Sequence, residues 1–159
     1  MALDPSRYAE LKADALAQPS LANAISLSDW PAIANYYNED AGGFVVWKSL
    51  VPLNQIGMAL DFNAVSGLTT ADSTRVQLIF QVSPAGINPY LADRRAAFDN
   101  IFSGVSGATT RAALLALWKR FANRVEKLFA TGTGSDASPA TLAHEGQING
   151  TDVQKAFGA

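Results

Sequence analysis

The chain has 159 residues, with 12 Lys and Arg against 14 Asp and Glu, a net charge of −2 and an isoelectric point near 5.2. That length fits one domain, or a domain with an arm, and buries roughly 68–70% of the unfolded surface, so a core forms without covalent staples. There is no cysteine, which excludes disulfides, thiolate metal sites and thiol nucleophiles; the single histidine, His144, excludes a site built from two imidazoles of one chain. The charge balance gives no general affinity for nucleic acid. No apolar run approaches the ~18 residues of a membrane span, and the amino end lacks the basic-then-apolar pattern of a secretory signal. Composition predicts a soluble, intracellular, compact protein.

Asp4-Pro5 reads as a helix start, a carboxylate cap followed by proline where a missing N–H costs nothing. Tyr8, Leu11 and Ala15 continue it, and Gln18-Pro19 stops it. Ser28 is expected to cap a second helix with Ile33, Ala34 and Tyr37 on its apolar face, ended by residues 38–43 because paired glycines do not propagate a helix. Phe44-Val45-Val46-Trp47 is β-branched and aromatic, suiting a short strand or an extended piece closed by Val51-Pro52. A short helix is expected over 52–60, with Ile56 and Leu60 on one side, and a loop over 63–70.

Ser73 can cap a helix to about Val82, although the same apolar run would suit a buried strand. Asn88-Pro89 repeats the cap-plus-proline start for a helix to about Ser103. The longest helix is predicted from Thr109 or Thr110 to Phe129, because Leu114, Leu117, Phe121, Val125 and Leu128 recur at helical spacing. Its polar side carries Arg111, Lys119, Arg120, Arg124 and Lys127. Residues 131–141 hold no large apolar side chain and read as a linker. Leu142, Ile148, Val153 and Phe157 then restore apolar character, with a short capped helix ending at Phe157-Gly158.

Residues 1–71 carry a net charge of −4, residues 72–128 a net +4, and residues 129–159 a net −2. The basic helix face allows three readings: a solvated surface, contact with DNA phosphates, or attachment to the acidic face of a second copy, as in head-to-tail rings. A Ser–His–Asp site would need His144 placed by packing with a serine at hydrogen-bond distance, and no strand–turn–helix context of the nucleophile-elbow kind surrounds any serine. Thr131-Gly132-Thr133-Gly134-Ser135 follows a helix and lacks the Gly-Lys-Ser/Thr ending of a phosphate loop.

Arg124-Val125-Glu126-Lys127-Leu128-Phe129-Ala130-Thr131-Gly132-Thr133-Gly134-Ser135-Asp136-Ala137-Ser138-Pro139-Ala140-Thr141, followed by His144-Glu145-Gly146, resembles the carboxyl end of a family of small tailed-bacteriophage virion proteins. Leu11-Lys12-Ala13-Asp14, Ala32-Ile33-Ala34-Asn35-Tyr36-Tyr37-Asn38 and Phe44-Val45-Val46-Trp47-Lys48 extend the resemblance across most of the chain. It implies a virion protein with no catalytic motif. By analogy of architecture it implies a head–tail connector or adaptor forming a ring beneath the portal.

The expectation is an all-α protein: five or six helices in a bundle-like domain over 1–130, one short β-hairpin or extended segment at most, and a flexible docking arm over 131–159. It is expected to be a non-enzymatic structural component of the virion, assembled in the host cytoplasm. Expected partners are further copies in a ring, portal and tail components, and transiently DNA in a channel, with no membrane and no cofactor. The candidate interaction residues are Arg111, Lys119, Arg120, Arg124 and Lys127 on the helix, and Leu142, Ile148, Val153 and Phe157 on the arm. No catalytic, cofactor or metal residue is assigned. The alternatives are a capsid-decorating or tail-completion protein, a DNA-binding packaging accessory and, last, a hydrolase.

Overall fold

The structure is a computed structural model that describes residues 3–158. Among the described residues the fold is mostly helical but not all-α: ten α-helices are accompanied by two two-stranded sheets. The chain forms two compact units, Met1–Val46 with Phe121–Ala159, and Trp47–Arg120. The division expected at residue 130 is not the one the fold makes.

In the first unit, Asp4 caps a 3-10 turn, Pro5–Arg7, by accepting from the Ser6 amide at 2.9 Å, and α1 (Tyr8–Ala17) continues directly from it. After α2 (Ala22–Ser26), Ser28 takes a left-handed φ of 54°. The cap of α3 (Trp30–Asn38) is therefore Asp29, not Ser28, its carboxylate accepting from the Ala32 amide at 3.1 Å with Pro31 in the first turn. The glycine pair expected only to end this helix lies inside β1 (Asp40–Trp47). There Gly42 and Gly43 take φ of 71° and 81°, and Asp40 accepts from both amides, at 2.7 and 3.4 Å.

The second unit holds α4 (Leu53–Ala59), α5 (Phe62–Ser66), α6 (Thr70–Val82), α7 (Ala92–Ile101) and α8 (Ala108–Leu117). Thr69, not Ser73, caps α6, accepting from the Asp72 amide at 3.1 Å. Ile56, Val76, Phe98, Ile101, Leu114 and Trp118 form the core, with Phe98 and Trp118 packed edge-on at 5.6 Å. A two-way bridge between Val51 and Ile87, at 2.7 and 2.9 Å, closes this unit. Gly86 is required beside it: its φ is 137°, and a Cβ would stand 2.3 Å from the Val51 carbonyl oxygen.

The long helix expected over 109–129 does not form. It is replaced by α8, then β2 (Lys119–Asn123), which pairs with β1, and then α9 (Arg124–Leu128). The cause is a second helix start inside the run: the Asn123 side chain accepts from the Glu126 amide at 2.8 Å, while Glu126 accepts from the Asn123 amide at 3.1 Å. The expected apolar face is split accordingly. Leu114 and Val125 are buried, but Phe121 stands 64% exposed on β2 and its neighbour Ala122 takes the inward position.

β3 (Ala130–Thr131) and β4 (Thr141–Leu142) pair antiparallel, Ala130 with Leu142 and Thr131 with Thr141. The chain ends in α10 (Gly150–Phe157), capped by the reciprocal bonds of Asn149 and Asp152 and closed by Gly158 at a φ of 77°. This helix packs on α1 and α3, with Val153 and Ala156 in the core formed by Leu11, Ile33 and Tyr37.

Neighbouring residues of α8 give a direct test of burial. Leu114→Ala should cost about 2–5 kcal/mol, the usual range for a buried leucine, against under ~1 kcal/mol for the half-exposed Leu115→Ala. Urea denaturation of the two variants checks this; equal costs would mean that the α8 face is assigned wrongly.

Candidate functional site

The four apolar residues expected at the tip of a docking arm all pack within their own chain. Ile148 and Val153 are buried in the core of the first unit, and Phe157 packs on Trp30 with ring centroids 5.1 Å apart. Leu142 covers a small cluster made by Val46, Ala122 and Ala140. Polar bonds secure the same segment. Asn38 donates to the Ile148 carbonyl at 2.8 Å and accepts from the Ile148 amide at 3.0 Å. Buried Glu126 accepts from the Gly146 amide at 2.8 Å, and Asn123 donates to the Gly146 carbonyl at 3.1 Å. The glycine-rich stretch before it is not an open linker: the Gly134 carbonyl accepts from the Val45 amide at 2.7 Å, and a Cβ on Gly134 would stand 2.1 Å from the Phe44 ring.

The five basic residues do not form one helical stripe. Arg111 lies on α8 and donates to the Phe102 and Gly104 carbonyls, closing the carboxyl end of α7. Lys119 and Arg120 are half-exposed on β2. Arg124 and Lys127 lie on α9. The Arg124 guanidinium donates to the Tyr36 carbonyl at 3.0 Å and to Glu39 at 2.8 Å, and stacks over the Tyr36 ring at 4.1 Å. Lys127 stands 5.5 Å over the Phe44 ring.

Arg124 and Lys127 do border a cleft of about 490 Å³ in the first unit, facing Asp14, Gln18, Tyr36, Tyr37 and Asp40. The Tyr37 hydroxyl donates to Asp14 at 2.6 Å, and burial, then that carboxylate, pushes the phenol far above its ordinary range. The phenol therefore stays protonated at neutral pH. Arg124 and Lys127 with Asp14 and Asp40 give the cleft charged groups of both signs. Among the described residues, no group of three or more His, Asp or Glu is placed to hold a metal ion, and no helix is long and apolar enough to cross a membrane.

The second unit is different in character. Nine of the twelve large apolar side chains exposed among the described residues lie in Trp47–Arg120, including Met58, Phe62, Leu78, Val82 and Val105. Apolar side chains exposed singly are ordinary; joined into one contiguous patch they mark an association surface. The chain matches no protein-family model, no curated protein and no solved structure.

Sequence reasoning passed over these exposed residues, yet a signal for Met58 was present. With Ile56 on the inner face of α4, an apolar residue two positions on falls on the opposite side of the helix. The caps at Asn123-x-x-Glu126 and Asn149-x-x-Asp152 were also readable as helix starts.

His144 is buried, 4% exposed, edge-on to Phe129 at 6.1 Å, and its Nε2 has no hydrogen-bond partner. Burial, then the charge of Arg7, lowers its pKa below 6.5, against the opposing pull of Glu126 and Asp152. Arg7 is held nearby by its bond to the Ala143 carbonyl at 3.1 Å. Because the folded pKa lies below the unfolded one, the unfolded chain binds the proton more tightly; stability is fully present above about pH 6.5 and falls as the pH drops through and below it. The urea midpoint should therefore be lower at about pH 5.5 than at about pH 7.5, and His144→Gln should remove most of that difference. An equal pH dependence in the variant would contradict this assignment.

Proposed function

We propose that this protein is a structural subunit of a tailed-bacteriophage virion, acting as a head–tail connector that assembles as a ring beneath the portal. The observation that carries the reading is the concentration of exposed apolar side chains in Trp47–Arg120. Met58, Phe62 and Val105 are left in solvent, and association with other protein would cover them. The resemblance of residues 124–141 to small virion proteins supplies the setting.

The DNA-binding alternative rested on one continuous basic helix face. That support is weakened, because the residues are divided between α8, β2 and α9, and Arg111 and Arg124 are bonded to carbonyl and carboxylate oxygens of their own chain. The docking-arm version of the connector reading loses its support in the same way, since the arm residues are used inside the subunit.

Imaging purified particles that carry one labelled version of this chain tests the proposal. The label is expected at the head–tail junction, at one fixed copy number per particle. Label spread over the capsid lattice would support a decorating protein instead, and absence from purified particles would end the virion reading.

A further inference from the structure

A shallow hollow of about 420 Å³ lies where α4 and α8 pack, floored by Ala59, Ala113 and Ala116 and walled by Met58, Leu117 and Gln55. No charged side chain lines it. Met58 is 86% exposed at its rim, on the opposite side of α4 from the buried Ile56. Three alanines let another backbone or a bulky side chain approach closely, and the flexible thioether of Met58 can close over what enters. Phe62, at the start of α5, is a second large side chain left 82% exposed in the same unit.

The identity of the occupant follows from charge. Residues 47–120 carry seven Lys and Arg against four Asp and Glu, whereas residues 1–46 with 121–159 carry five against ten. The unit bearing the hollow is thus +3, and the other unit of the same chain is −5. Two hollow-bearing units meeting face to face would bring like charge together. A hollow-bearing unit meeting the acidic unit of another copy brings opposite charge together, which favours encounter and fixes which surfaces meet. Glu10, Glu39 and Asp40 are exposed on the acidic unit.

We infer that the hollow between α4 and α8 is a self-association site whose occupant is the acidic unit, residues 1–46 with 121–159, of a second copy. The contact is heterologous, because each copy offers one hollow and one acidic unit, so successive copies add in a line that closes into a ring when the rotation permits. This inference rests on the self-association part of the proposed function and names the two surfaces.

Sedimentation velocity on the full chain tests it. The wild type should associate at ~0.05 M salt and less so at ~0.5 M, where charge attraction is screened. Met58→Glu should shift the concentration for half-assembly by more than about tenfold, with an unchanged circular dichroism spectrum, since the side chain lies outside the core. A Glu10→Lys, Glu39→Lys, Asp40→Lys variant should also fail to assemble alone while keeping the wild-type circular dichroism spectrum, the control needed because Glu39 pairs with Arg124 and Asp40 accepts from the Gly42 and Gly43 amides. Mixed with Met58→Glu, it should form one heterodimer and no larger species, because each variant retains the surface that the other lacks. Persistence of assembly in Met58→Glu would overturn the site, and a mixture that stays monomeric would overturn the heterologous partner. A wild-type chain that is monomeric in solution yet found at the head–tail junction would end this inference and leave the virion reading standing. Assembly through Met58 by a chain absent from particles would do the reverse.

Discussion

The first unit depends on the capture of a distant piece of its own chain. Asn38, in the last turn of α3, holds both backbone polar groups of Ile148, 110 residues further on. Glu126 and Asn123 hold both backbone polar groups of Gly146. These bonds let irregular backbone enter a buried position without leaving donors and acceptors unpaired, each of which would cost about 1–3 kcal/mol. Once residues 146–149 are fixed, α10 is delivered onto α1 and α3. Burial of Ile148 and Val153 then stabilises the unit by roughly 1.5–3 kcal/mol each. Val153 and Ala156 of α10 share the core with Leu11, Ile33 and Tyr37.

The same capture determines what is left for a partner. A carboxyl-terminal arm that completes its own core has no apolar tip to lend, and Arg124 is bonded to Tyr36 and Glu39 of the same unit. What the first unit presents is a polar cleft and an excess of negative charge. What the second unit presents is apolar surface with an excess of positive charge. The two units thus present surfaces of different kinds, one acidic and polar, the other basic and more apolar.

Much of the local structure was legible. The starts near Asp4-Pro5 and Trp30-Pro31, the helix through Ile56 and the final capped helix follow from caps, prolines and apolar spacing, whereas residues 73–82 suited a helix or a buried strand equally and the helix that forms begins at Thr70. The long helix was misread because five apolar residues at helical spacing outweighed one local signal, the Asn123 cap with Glu126 three residues on. Chain pairing was invisible for a different reason. Val46 bridges to Ala140 and Ala130 pairs with Leu142 in contacts that no local pattern encodes. The linker reading of residues 131–141 failed on the same point: small residues there make room for the Phe44 ring and for strand contacts, where composition alone signified freedom. Of the candidate site, residue types were readable but not their use, since burial of Val153 and bonding of Arg124 are properties of the assembled unit.

Amide hydrogen exchange on the protein in solution tests this account most directly, comparing α10 with α3. If residues 146–157 complete the core of their own chain, α10 amides should be protected to within about tenfold of those in α3, because both open with the same cooperative unit. Exchange of α10 at the rate of an unfolded chain, with α3 still protected, would contradict it and return residues 131–159 to the role of an arm that orders only on a partner.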